Sequence, residues 1–240
     1  IQKLFAENKD SEAESLCNEL VGDQEGYGSY IEFGDISMNF DINEKDVKNY
    51  VRWLDIDQAI TYVQYEYKDS IITREYFVSY PDNVLVIHIK TSKEKIPNFK
   101  VSFSTKTKSK NEQKATDNEI RFKGRLDDNQ MIFNFILKAT SKTGKIFAEG
   151  SSLSISDTNE VFIFASAATD YKDVYPNYRT GETEEEVENR VFNFVNNAFH
   201  KGFDSIRIDH LKDYTNLFSR VNLDLGQTAS KYPTDQQLQN

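Results

Sequence analysis

The spacing of apolar and polar residues divides the chain into three zones. In the first, Ile1, Leu4 and Phe5 form one apolar face, and Ala13, Leu16, Cys17 and Leu20 form a second at i, i+3, i+4 and i+7. Between them Asp10-Ser11-Glu12-Ala13-Glu14 offers a fresh start, with Ser11 and Glu14 at capping-box spacing, and Gly22 supplies a stop. Two short helices are predicted over residues 1–22.

From about Tyr30 to Ala168 the period shortens to two. Ala59, Thr61, Val63, Tyr65 and Tyr67 alternate with Ile60, Tyr62, Gln64 and Glu66. A tight Lys68-Asp69-Ser70 turn follows, and Ile71 to Val78 is rich in β-branched and aromatic residues, so the two runs read as a hairpin. Val84–Ile89, Phe99–Phe103, Glu119–Phe122, Met131–Ala139, Lys145–Glu149 and Val161–Ser166 continue at short intervals. At least eight strands with almost no helix between them predict a mainly β, antiparallel sandwich over residues 23–180. Phe133, Phe135 and Leu137 should face one side of it, with Asn134 and Lys138 partly on the other. Lys100–Lys114 alternates lysine with Ser and Thr and reads as a solvated strand edge and loop.

The third zone, residues 181–240, returns to helical spacing. Thr183-Glu184-Glu185-Glu186 is a second capping-box match, and its acids suit the positive end of a helix dipole. Val187, Val191, Phe194, Val195, Ala198 and Phe199 line one face up to Gly202. Asp204 is expected to cap a further helix carrying Ile208, Leu211, Tyr214 and Phe218. Beyond Arg220 the chain becomes extended and then polar, like a connector leading towards something absent. With Ile1 in place of a start methionine, both ends are expected to be cut from a longer polypeptide.

Composition narrows the function classes. The 240 residues are 38% hydrophobic and 28% charged, enough for a buried core and against wholesale disorder. The longest largely apolar run, Val161 to Ala168, is far shorter than a bilayer span. A net charge of −10 repels phosphate backbones and anionic lipid, so neither nucleic acid nor membrane is an expected partner. The single cysteine, Cys17, forms no internal disulfide and reads as a core residue. No Asn-x-Ser/Thr sequon occurs, which fits a protein made outside a eukaryotic secretory route; a bacterial protein, cytoplasmic or secreted, is expected.

The search for chemistry singles out no catalytic residue, metal site or cofactor. His88, His200 and His210 are not at metal-ligand spacing, and there is no phosphate loop or nucleophile elbow. Asp55-x-Asp57 places two carboxylates on one strand face, without the further oxygen ligands that calcium needs. Asp127-Asp128-Asn129 reads as a polar turn. The aromatic segment after the last strand stands out: Tyr171, then Tyr175-Pro176-Asn177-Tyr178-Arg179. Tyrosine rings beside a guanidinium can stack on a sugar face, or pack onto the sandwich end or a neighbouring domain. Both readings stay open for Tyr171, Tyr175, Tyr178 and Arg179. Trp53, the one tryptophan, reads as core or interface.

Several blocks resemble the N-terminal domain of family 95 glycoside hydrolases, the α-L-fucosidase-like enzymes. Tyr30-Ile31-Glu32-Phe33-Gly34-Asp35-Ile36 resembles the family's Tyr-x-Pro-Leu-Gly-Asp-Leu, with Glu32 at the proline position. Tyr50-Val51-Arg52-Trp53-Leu54-Asp55-Ile56-Asp57 resembles its Tyr-x-Arg-x-Leu-Asp-Leu, and Arg74-Glu75-Tyr76-Phe77-Val78-Ser79-Tyr80-Pro81-Asp82 its Arg-Glu-x-Phe-x-Ser-x-Pro-Asp. Ala167-Ala168-Thr169-Asp170-Tyr171 resembles the block closing the sandwich. His210-Leu211-Lys212-Asp213-Tyr214, Phe218-Ser219-Arg220-Val221 and Pro233-Thr234-Asp235 resemble the linker that follows it. The resemblance implies a β-super-sandwich with N-terminal helices, C-terminal linker helices, and then an (α/α)6 barrel in the same polypeptide. In the family that barrel hydrolyses terminal α-L-fucosyl linkages with inversion, and its catalytic residues lie beyond Asn240. The expected partners are therefore that barrel and an oligosaccharide. A stand-alone carbohydrate-binding or adhesion sandwich is the alternative.

Overall fold

The computed structural model describes residues 1–20, 32–93, 95–226, 230 and 232–237; the expected stop at Gly22, and Tyr30 and Ile31 of the first motif block, lie outside them. Two antiparallel sheets face each other. The smaller has four strands in the order β1 (Asp35–Phe40), β6 (Phe99–Ser104), β11 (Ser152–Ser156), β10 (Lys145–Glu149). The larger has eight, beginning β2 (Lys48–Asp55), β3 (Ile60–Tyr67), β4 (Ser70–Ser79), β5 (Val84–Thr91). It continues β12 (Glu160–Thr169), β9 (Ile132–Thr140), β8 (Glu119–Leu126), β7 (Ser109–Thr116). The expected antiparallel sandwich is present. The β3–β4 hairpin forms where the alternation placed it, with Lys68 and Asp69 at φ 46° and 60°, as a primed two-residue turn demands.

Strand parity builds two cores on opposite faces of the large sheet. Phe133, Phe135 and Leu137 point inward with Phe99, Val101, Phe103, Leu153 and Ile155 of the small sheet. The inner core is rich in rings: Phe103 stacks on Phe135 at 4.1 Å and tilts against Phe122 at 5.0 Å. Ile60, Phe77, Val84, Val86, Ile136 and Phe164 point outward and are covered by two helices, α3 (Glu184–Lys201) and α4 (Phe203–Phe218). Val191, Val195 and Ala198 of α3, on the face the spacing predicted, and Ile206 of α4 complete this second core.

The Thr183–Glu186 capping box forms as expected: the Thr183 hydroxyl accepts from the Glu186 N–H, and the Glu186 carboxylate accepts from the Thr183 N–H. Thr183→Ala is expected to cost about 1 kcal/mol, read as faster amide exchange in the first turn of α3 with the strands unchanged.

Other local expectations are corrected. The helix α2 (Asp10–Asn18) follows Lys9 with no side-chain cap, so Ser11 and Glu14 form no capping box. Only Ala13 of its apolar face is buried; Leu16 and Leu20 are exposed, Cys17 is half-buried, and α2 packs on the short α1 (Gln2–Ala6). Asp204 caps nothing: Gly202, at φ 80°, ends α3 and starts α4, so Asp204 falls inside the first turn. That start sets the helix phase so that Ile206 and His210 turn inward and Ile208 is 65% exposed. Lys100 lies in β6, inside the small sheet, whereas residues 109–116 form β7 at the edge of the large one. Asp57 lies in the turn after β2, not on a strand face with Asp55.

Candidate functional site

The aromatic segment after β12 closes the end of the sandwich near the β8–β9 turn. Its anchor is Asp170, a buried carboxylate. The Ile132 N–H donates to Asp170 Oδ1 at 3.0 Å, and Arg179 Nε lies 3.5 Å from Asp170 Oδ2. Arg179 Nη2 also donates to the Asn129 carbonyl at 3.1 Å, and Tyr171 bridges Arg179 through the backbone. Arg179 thus serves the loop's own architecture rather than presenting its charge to solvent. The tyrosines point the other way: Tyr175 is 82% exposed and meets Tyr178 edge to face at 6.4 Å, and Tyr171 is half exposed. The structure therefore brings the four candidates together but divides them into one anchor and three outward rings. Asp170→Ala should leave the Ile132 N–H without its acceptor and Arg179 Nε without its counter-charge, and cost about 1–3 kcal/mol in urea unfolding.

A second exposed region runs along β2 and the end of α4. Residues 48–54 of β2 are all exposed. Trp53, 41% exposed, stacks on Tyr62 at 4.9 Å on the outer face, so it is a surface ring rather than a core one. The Tyr214 hydroxyl donates to the Ile56 carbonyl at 2.7 Å and its ring stacks on Phe218 at 5.1 Å. Leu54, Ile56, Leu217, Val221, Leu223 and Leu225 add exposed apolar surface. Exposed apolar side chains gathered in this way mark places where another surface packs.

Beneath α4 lies a charged cluster that the sequence reading left unassigned. Its residues are far apart in the chain and meet only through sheet register. His88 of β5 stacks on Phe162 at 4.6 Å, with Glu160 Oε1 2.9 Å from its Nε2 and Glu75 Oε2 3.6 Å from its Nδ1. Arg207 of α4 donates to Glu75 at 2.7 Å and to the Gln58 side chain at 3.0 Å. Gln58 is itself held by Asp55, and its carbonyl meets His210 Nε2 at 2.9 Å. Burial opposes the charge on Glu75, but hydrogen bonds from His88 and Arg207 outweigh it and hold its pKa below the usual carboxylate range. The cluster clamps α4 to the sheet.

Elsewhere, carboxylates converge on cations: Glu119 and Glu188 on Arg121, Asp82 and Asp209 on Lys201. Every described carboxylate whose pKa clearly departs from its ordinary value is lowered, the opposite of what a general acid in glycoside hydrolysis needs. A cavity of about 480 Å³ beside the β7–β8 turn is lined by polar side chains, with Arg121 engaged by Glu119 and Glu188 and Lys138 lying over the Phe199 ring. Among the described residues no three of His, Cys, Asp and Glu gather as metal ligands, and no helix is long and apolar enough to cross a membrane.

Residues 1–174 match the model of the glycosyl hydrolase family 65 N-terminal domain. The chain belongs to this family. As a family 65 N-terminal domain it shares with the family 95 motif blocks the broader ground of a glycoside hydrolase's N-terminal sandwich. It is 26% identical over 215 residues to "Probable alpha-fucosidase A" of Aspergillus niger, covering 86% of this chain and 27% of that protein. It is 24% identical over 261 residues to "Alpha-L-fucosidase 2" of Arabidopsis thaliana, covering 98% of this chain and 30% of that one. The chain thus spans under a third of the length of these curated relatives. Among solved structures, "Putative kojibiose phosphorylase from human microbiome" superposes with a TM-score of 0.60 over 81% of this chain and 31% of that one, at 8% identity. That likeness is one of fold.

Proposed function

We propose that this family 65 N-terminal domain is the non-catalytic sandwich of an α-L-fucosidase-like glycoside hydrolase of the family 95 type. The intact enzyme removes terminal α-linked fucose, or a related sugar such as galactose, from oligosaccharides. In this reading residues 23–180 are the sandwich and residues 181–240 the linker to a catalytic barrel in the same polypeptide, which supplies the general acid. The observation that carries it is the exposed apolar surface of Val51 and Trp53 on the outer face of β2, the end of α4 and residues 221–225, on a chain similar to fucosidases more than three times its length. The lowered carboxylates support placing the chemistry outside this span.

The test compares the 240-residue chain with the full-length polypeptide on fucosyl-α-1,2-galactosides. Turnover should be confined to the longer protein, and release of fucose by the 240-residue chain alone sinks the reading. The exposed rings of Tyr175 and Tyr178 favour a second reading, a carbohydrate-binding sandwich. Under it, Tyr175→Ala would weaken glycan binding by the isolated chain, whereas the first reading expects that variant to bind as wild type does.

A further inference from the structure

The inner face of the eight-stranded sheet extends past the four-stranded one, and on this ledge two arginines stand without acids among the described residues. Arg52 of β2 lies opposite Val63 of β3, and Val63 opposite Arg74 of β4, so both arginines share one face with Val63 between them. Two strand spacings put their Cα atoms roughly 10 Å apart. Arg52 is exposed and makes no ion pair among the described residues. Arg74 is mostly buried: its guanidinium lies over the Phe40 ring at 4.1 Å and the Tyr65 ring at 5.1 Å. One Nη donates to the Tyr65 hydroxyl at 2.8 Å, and its Nε is buried with no hydrogen-bond partner.

The contrast with the other arginines is informative. Arg121, Arg125, Arg179, Arg190 and Arg207 each meet a carboxylate, in a chain with ten more acids than bases. Arg74 meets only phenols. Burial pushes the Tyr76 hydroxyl up despite Arg74 beside it, so that ring stays neutral and offers no counter-charge. Burial opposes the Arg74 charge, yet its hydrogen bonds with the Tyr65 and Tyr76 hydroxyls outweigh it and keep the guanidinium charged. What such a fork would add is a carboxylate, which it matches in shape. Beside it Tyr50, 59% exposed, lies parallel to Tyr65 at 6.3 Å and presents a ring face to solvent. Aromatic faces of this kind receive the apolar face of a pyranose.

From this juxtaposition we propose that Tyr50, Arg52 and Arg74 form a binding site for acidic carbohydrate, a uronate whose carboxylate is held between the two arginines while its ring rests on Tyr50. The site is distinct from the tyrosine loop after β12 and does not depend on the fucosidase reading. It is tested by calorimetric titration of the full 240-residue chain with trigalacturonate, galactotriose and a triglutamate peptide. Trigalacturonate should bind, more weakly as salt is raised, and galactotriose should not. Arg52→Ala, on an exposed strand, should weaken binding about tenfold, as loss of one charge-assisted pair does. Arg74→Lys, which keeps charge but loses the fork, should weaken it at least as much. Arg125→Ala, on β8 six strands along the large sheet from β2, should leave it unchanged. Absence of trigalacturonate binding, equal binding of galactotriose, equal or tighter binding of the peptide, or full affinity in Arg52→Ala would each overturn the proposal.

Discussion

Replacing Phe103 by alanine should lower the stability of this domain by about 3–5 kcal/mol, a fall of roughly 6–20 °C in melting temperature for a chain of this size. Phe103 is the ring through which the small sheet grips the large one. It stands on β6 and stacks on Phe135 of β9 at 4.1 Å, contacts Phe122 of β8 at 5.0 Å, and lies 6.0 Å from Phe33. Phe122 and Phe135 sit on strands fixed by register, so the space left by the ring closes only as far as the segment carrying Phe33 can shift. The cost therefore combines lost burial with a persistent cavity. Phe147, exposed on β10, is the control, and its alanine variant should stay within about 0.5 kcal/mol of wild type. Urea unfolding of both variants checks this, and equal midpoints would show that the ring cluster does not hold the two sheets together.

Glu75→Gln should be the second most damaging change, with a pH signature that packing alone does not produce. The carboxylate accepts from Arg207 at 2.7 Å and faces His88, with Glu160 on the far side of the imidazole. Its pKa is lower in the folded state than in the unfolded chain. A group depressed in this way contributes its stability above the unfolded value and loses it as pH falls through the folded one. At pH 7 the Gln variant should be less stable by about 2–3 kcal/mol, the range for a hydrogen bond to a charged group. As pH falls below the unfolded carboxyl's value, about 4.3, and on towards the lower folded one, the gap between the two proteins should narrow. Urea midpoints for both proteins from pH 7 to pH 3 read this directly, and a constant gap would mean that Glu75 acts through shape rather than charge.

The fold was legible where the apolar pattern was strong. Tyr65, Tyr67, Ile72 and Tyr76 share one face along two runs joined by a tight turn, and the hairpin follows. β7 has almost no apolar content, because an edge strand over solvent needs none, and so only a solvated strand edge and loop over Lys100–Lys114 could be read there, without the strand's bounds. β11 carries only Leu153 and Ile155, too short a run to separate from a turn. The error at Asp204 came from a glycine: a positive φ at Gly202 moved the helix start back and rotated Ile208 into solvent. Of the candidate loop, the aromatic residues could be read but not their division of labour, since Arg179 is held by Asp170 and by a carbonyl from a different hairpin. The Glu75–His88–Arg207 clamp and the Arg52–Arg74 pair were invisible for a related reason. Their members become neighbours only after strand register is known.

The clamp beneath α4 also orders events during synthesis. Arg207 and Glu75 are 132 residues apart, and β12, the last strand of either sheet, ends at Thr169. A chain growing from its N-terminus therefore holds both sheets complete before α3 and α4 exist. Until Phe218 has been added, the outer face formed by Ile60, Phe77, Val84, Val86, Ile136 and Phe164 lacks its full cover. At ordinary elongation rates that interval lasts roughly 3–10 s. During it the nascent domain carries a greasy flank, the kind of surface that chaperones bind and that neighbouring ribosomes on one message bring close together.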